Sequence, residues 1–176
     1  MQRFELMPFS AKNLPEIKIL GTVDRVGNQL HLEYGVHGDV NSILLPQPST
    51  PVRQDDLWKT TCFEFFITVP NAPRYWEFNM SPTGQWNVYC MDEYRRVGFR
   101  EESAFHQLPF EFRKVETGLY LEIFIDLQPI IPFGQTIEIG IAAVIQAVNS
   151  QQTFWALVHP GEQADFHSRD SFVIEL

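Results

Sequence analysis

One stretch limits the choice of fold more than any other: residues 57–89, LWKTTCFEFFITVPNAPRYWEFNMSPTGQWNVY. It reads as three strands separated by two turns. Over residues 61–69, Phe63, Phe65 and Ile67 alternate with Glu64, Phe66 and Thr68. Over 74–80, Trp76, Phe78 and Met80 alternate with Tyr75, Glu77 and Asn79, and over 85–90, Trp86 and Val88 alternate with Asn87 and Tyr89. A period of two sends successive side chains to opposite faces of a sheet. One face is therefore apolar and suited to a core. The other carries Glu64, Tyr75, Glu77, Asn79 and Tyr89, a mixture of rings and hydrogen-bonding groups that suits a sugar or another polar ring.

The rest of the chain repeats this signal in shorter pieces. Residues 29–36 alternate Leu30, Leu32, Tyr34 and Val36 with His31, Glu33 and Gly35, after a Gly27-Asn28 turn. Residues 17–20 form an edge-strand candidate and 42–45 a short strand. Residues 110–115, 119–125, 136–147, 153–158 and 171–176 are further strands, of which 136–147 carries the longest signal. Residues 46–54, PQPSTPVRQ, form a loop, because proline fixes φ and donates nothing to a ladder. Residues 92–107 form a long polar loop or irregular edge, the kind of segment that often carries function. No amphipathic helix is evident. Eight or more short strands without a long helix predict an all-β, antiparallel β-sandwich of jelly-roll or immunoglobulin-like two-sheet architecture, a single domain over residues 1–176.

Composition narrows the function. A formal charge of −9 argues against nucleic acid, which needs clustered Lys and Arg, and against an anionic membrane surface. No apolar run is long enough to span a bilayer. The first residues, MQRFELMPFSAK, lack the apolar run of a signal peptide, so a cytoplasmic location is expected. Cys62 and Cys90 read as half-buried thiols, with a disulfide between neighbouring strands as the alternative.

Several residues invite a chemical reading, each with a plainer alternative. Trp58 ends the polar loop six residues before Glu64. Its flat ring can stack on the C–H face of a pyranose while the carboxylate accepts sugar hydroxyls, or it can cap the core. Trp155 can complete a ring sandwich or pack inside, since it and Phe154 point opposite ways and one must be buried. Arg95 and Arg96 are either polyol ligands or solvated loop charges. His159 and His167 match no common zinc spacing. Met80 and Met91 are either core filling or haem ligands. Glu64 and Glu77 could form a glycosidase acid–base pair, but nothing marks either with a raised pKa, and no nucleophile elbow, phosphate loop or HExxH is present.

Three pieces together, DDLWKTTCFEFFI, YWEFNMSPTGQWNVY and ADFHSRDSFVIEL, resemble the DOMON-like proteins related to family 9 carbohydrate-binding modules. The shared pattern is a Trp with Glu six residues on, an aromatic-Glu-Phe strand running into Ser-Pro-x-Gly, and a closing Phe-His-x-x-x-x-Phe, spread over residues 55–176. The resemblance implies an antiparallel sandwich that binds glycan ends between two tryptophans. On this chain it assigns Trp58 and Glu64, with Trp155 as the second Trp, Arg95 or Arg96 as the sugar-binding arginine and His167 in the closing motif. It also raises structural calcium, for which only Asp55-Asp56 offers neighbouring carboxylates, and haem, which some DOMON proteins hold. The expectation is a non-catalytic module for a glycan or similar small molecule, with no required cofactor. A haem or redox module, a glycoside-active enzyme and a protein-interaction scaffold are the alternatives.

Overall fold

The structure, a computed structural model, describes residues 1–12, 14–94 and 99–176. It is an antiparallel β-sandwich. The strands are β1 (Gln2–Pro8), β2 (Ile17–Val26), β3 (Gln29–Gly38), β4 (Cys62–Thr68), β5 (Tyr75–Met80), β6 (Trp86–Met91), β7 (Arg100–Glu101), β8 (Phe110–Val115), β9 (Gly118–Asp126), β10 (Glu138–Gln146), β11 (Gln152–Ala156) and β12 (Ile174–Glu175). The described residues contain no helix long and apolar enough to cross a membrane.

One sheet runs β1-β2-β3-β9-β8 and the other β7-β6-β5-β4-β10-β11-β1. β1 belongs to both. Its first part pairs with β2 from Gln2 to Leu6, and then Met7 and Pro8 pair with Ala156 and Trp155 of β11. The chain thereby curls the sheet over on itself. β12 pairs with Glu138 and Ile139 of β10, the stretch of that strand beyond the reach of β11.

The core lies between the sheets and follows the predicted alternation. Leu30, Leu32, Tyr34, Leu121 and Ile123 come from one side, and Phe63, Phe65, Phe78, Val88 and Ile141 from the other. Removing such side chains from water is the main favourable term in folding. The Tyr34 hydroxyl crosses the core and donates to the Glu64 carbonyl at 2.7 Å, which gives its polar tip a partner. Gly21 faces Phe4 on one neighbour and Tyr34 on the other. A Cβ there would lie 2.1 Å from the Glu33 carbonyl oxygen and 2.3 Å from Phe4 Cζ, so only glycine allows the Phe4 ring to lie across it.

Several local expectations change. Residues 17–20 begin a ten-residue interior strand, not an edge, because β1 pairs with its far side. Residues 42–45 form no strand; Val40–Ser42 is a 3-10 turn, and Ile43 makes one isolated bridge to Ala147. Cys62 and Cys90 are free and buried. β5 separates their strands, and strands two apart lie roughly 10 Å from each other, beyond disulfide reach.

β4, β5 and β6 are buried on both faces. The outer face carries a second apolar cluster, formed by Phe66, Tyr75, Tyr89, Met91, Ala142, Ala156 and Phe172, with Phe166 packed against it. The C-terminal segment supplies this cover. Arg169 fastens it by donating to Thr68 Oγ1 at 2.5 Å, to the Ala72 carbonyl at 3.2 Å and to Glu138 Oε2 at 2.8 Å. Gly140 makes room for the Phe172 ring, which a Cβ would approach to 2.7 Å. The cover is incomplete, and the gap is a cleft.

Candidate functional site

The cleft encloses about 800 Å³ over the outer face of β4, β5 and β6. Strand alternation builds its floor from Glu64, Tyr75, Glu77 and Tyr89. Asp55, Asp56 and Trp58 form one rim. Phe99 precedes β7 and forms part of another. The C-terminal segment contributes Phe166 and His167, and β11 contributes Phe154.

Trp58 sits on a short 3-10 turn, Leu57–Lys59, that is pinned by the buried Leu57. Its indole belongs to neither apolar cluster and is 48% exposed. Lys59 Nζ lies 5.7 Å from the ring centroid and is ion-paired with Asp56 at 2.5 Å. A half-exposed indole at the mouth of a cleft offers a flat apolar surface to a ligand.

The floor sets two carboxyls among aromatic rings. Glu64 is 2% exposed, and its Oε1 has no hydrogen-bond partner among the described residues. Burial, and then the charge of Glu77, push its carboxyl well above the usual carboxylate range. A neutral carboxyl there can both donate and accept, as a sugar hydroxyl does. Asn79, across the ladder from Glu64 on the same face but outside the cleft lining, donates from Nδ2 to Glu77 Oε1 at 2.7 Å. The Tyr75 hydroxyl and His167 Nδ1 are in hydrogen-bond contact at 3.0 Å, and His167 Nε2 lies 3.9 Å from Glu77 Oε2. The Tyr89 hydroxyl donates to Asp55 Oδ1 at 2.6 Å; burial and this carboxylate raise the phenol's pKa.

The structure brings Trp58, Glu64, Tyr75, Glu77, Tyr89 and His167 to one cleft, with Asn79 outside its lining. Arg95 and Arg96 lie outside the described residues. Trp155 is a correction. It is 3% exposed, belongs to the intersheet core and donates from Nε1 to Thr153 Oγ1 at 2.9 Å. Its partner across the ladder is Ala143, whose small side chain leaves space for the indole, while Phe154 pairs with Val144 and both line the cleft. Phe154, Phe166 and Phe99 are the aromatic residues that the sequence reading missed. For Phe154 the signal was present in the either-or choice with Trp155. Phe99 and Phe166 lie in loops, where no periodicity points to a face.

The cofactor alternatives fare differently. Met80 is buried in the core between the sheets, so it is no haem ligand in this fold; Met91 lines the cleft. Asp55 Oδ1 accepts from Tyr89 and Asn87, and Asp56 is ion-paired with Lys59. Among the described residues, His31, Glu33 and Glu122 are the grouping close enough to share a cation. They lie on the outer face of the other sheet, where His31 and Glu122 are in contact at 2.8 Å and Arg113 is 4.0 Å from Glu122.

No protein-family model matches the chain, and no curated protein matches it by sequence. Solved structures do match. A "putative carbohydrate-binding protein" from Bacteroides uniformis aligns with a TM-score of 0.74 at 13% identity, over 97% of this chain and 84% of that one. A family 9 carbohydrate-binding module from Caldicellulosiruptor kristjanssonii in complex with glucose aligns with a TM-score of 0.52 at 12% identity, over 86% and 72%. The same kind of module in complex with cellotriose gives a TM-score of 0.53 at 12% identity, over 86% and 70%. At these identities the likeness establishes a shared fold.

Proposed function

We propose that this chain is a non-catalytic carbohydrate-binding module that holds a sugar ring in the cleft against Trp58. The observation that carries the reading is the pairing of a half-exposed indole at the rim with a buried carboxyl oxygen on the floor below that has no hydrogen-bond partner among the described residues. The indole suits the C–H face of a pyranose, and the carboxyl suits its hydroxyls. Glu64, Glu77 and Tyr75 are the polar partners, with His167 beside them. Phe154 and Phe166 provide aromatic wall in place of Trp155. Structural neighbours that carry carbohydrate-binding names, one holding glucose and another cellotriose, support the ligand class.

The test is a thermal-shift and calorimetric titration with glucose, cellotriose and a wider panel of mono- and oligosaccharides. A ligand of the native state raises the melting temperature by mass action. Binding that disappears in Trp58→Ala while the fold survives is the expected result. Absence of binding to every sugar, or sugar binding that Trp58→Ala leaves intact, overturns the reading. Turnover of chromogenic glycosides that is lost in Glu64→Gln would instead make the two floor carboxyls an acid–base pair.

A further inference from the structure

The edge of β6 is covered by two separate segments rather than by one strand. Residues 52–54 run along its start: Trp86 N–H donates to the Val52 carbonyl at 3.1 Å, Gln54 N–H donates to the Trp86 carbonyl at 2.9 Å, and Arg53 bridges Trp86 in the parallel sense. β7 covers its end by pairing with Tyr89 and Cys90, and Glu102 N–H donates to the Val88 carbonyl at 2.8 Å. The segments meet beside Asn87 and Val88. One leads into Asp55, Asp56 and Trp58; the other starts from Phe99.

Two side chains join the segments at that meeting point. The Arg53 guanidinium lies 4.5 Å from the centroid of the Trp86 ring. It donates to Asn87 Oδ1 at 2.7 Å, to the Glu102 carbonyl at 3.0 Å and to the Phe105 carbonyl at 2.5 Å. Asn87 is fully buried, and its Nδ2 faces the Gln54 carbonyl at 3.3 Å, Asp55 Oδ1 at 3.1 Å, the Tyr89 hydroxyl at 3.0 Å and Glu101 Oε1 at 3.0 Å. These acceptors come from both segments and from β6 itself. The Tyr89 ring carries the link to both rims, since its hydroxyl holds Asp55 and its ring packs against Phe99 in an edge contact with centroids 5.4 Å apart. Neither Arg53 nor Asn87 lines the cleft.

We infer that Arg53 and Asn87 are positioning residues that fasten the two rims of the cleft to one point of the sheet edge, so that the Trp58 arm and the Phe99 arm are set together for the ligand. This rests on the carbohydrate-binding reading for its consequence, but not for its mechanics. The planar fork of arginine suits the task, because it reaches a side-chain amide and two carbonyls in different directions at once, which a lysine ammonium on a single stem does not. Binding sites lose affinity when the groups that hold their contact residues are loosened.

Arg53→Lys is the deciding variant, because it keeps the charge and the stem beside Trp86. Two readouts are made on the same protein: amide hydrogen exchange without ligand, and cellotriose affinity by calorimetry. The inference expects faster exchange over residues 54–58 and 99–102 together, with β2, β3 and β10 still protected. It also expects cellotriose affinity to fall by about tenfold, the scale of one lost charged hydrogen bond. The loss should be less than additive with that of Trp58→Phe, since both act through one arm. Unchanged exchange, loosening of one rim alone, or loosened rims with unchanged affinity would overturn it. If the wild-type protein binds a sugar of the panel other than cellotriose, that sugar takes its place in the affinity measurement. If it binds no sugar of the panel, the binding reading fails separately. Exchange then decides the anchor alone: joint loosening upholds it, and independent behaviour of the rims refutes it.

Discussion

Replacing Trp58 and Trp155 separately with alanine should give opposite results. Trp58 is 48% exposed and lies outside both apolar clusters. A fully buried tryptophan removes about 150–250 Å² from water, so Trp58 gives up roughly half of that, at most ~3 kcal/mol at ~25 cal/mol per Å². The unfolded chain already hides part of this area, which brings the loss to about 1–3 kcal/mol. For a chain of this size each kcal/mol is worth about 2–4 °C, so Trp58→Ala should lower the melting temperature by roughly 2–12 °C. Trp155→Ala empties a core site and should cost about 3–5 kcal/mol, a fall of roughly 6–20 °C. Binding should respond the other way. A tryptophan anchor carries about 2 kcal/mol or more, so Trp58→Ala should weaken cellotriose binding at least about 30-fold. Scanning fluorimetry and calorimetry on both variants give the comparison. If Trp58→Ala unfolds as readily as Trp155→Ala, Trp58 is a core residue and the site is misplaced.

Other expectations follow from the same contacts. The folded protein holds the Glu64 proton at pH values where an unfolded glutamate, with a pKa of about 4.3, has lost it. Its contribution is therefore fully present below that value and is lost as pH rises toward the raised folded value. The melting-temperature advantage of Glu64→Gln should grow from about pH 4 upward, with a slope no steeper than ~1.4 kcal/mol per unit; parallel curves would refute it. Burial raises the pKa of both the Cys62 and Cys90 thiols, so neither should react with a thiol reagent until the protein is denatured, when both should. Gly21→Ala should destabilise by about 1–3 kcal/mol or more in a urea titration, because its Cβ has nowhere to go between Phe4 and the Glu33 carbonyl. Arg169→Ala should cost about 1.5–3 kcal/mol and speed exchange in residues 166–172, since it releases the fastening of the C-terminal cover; an unchanged exchange pattern would count against that role.

The β-sandwich was legible because alternation is a local property. Phe63, Phe65 and Ile67 had to share a face, and so did Glu64 with Cys62 and Phe66, whatever the rest of the chain did. That parity puts Glu64, Tyr75 with Glu77, and Tyr89 each on the face of its strand opposite the core residues, and the pairing of β4, β5 and β6 then joins them into the floor of the cleft. The rims do not follow. Phe154 and Trp155 satisfy the alternation equally well, and only the register of β11 against Ala143 and Val144 turns the indole inward. Phe99, Phe166 and Asp55 lie in irregular chain, where no period relates neighbouring side chains, and they reach the cleft through contacts tens of residues away in sequence, such as Tyr89 with Asp55. Residues 17–20 looked like an edge because an isolated strand carries no record of its neighbours; the curling of β1 between sheets places them inside. The sequence by itself determined which side chains share a face, since backbone geometry fixes that within a few residues. Only the tertiary structure decided which faces meet, which loops close over them and which tryptophan stays in water, since long-range packing sets all three.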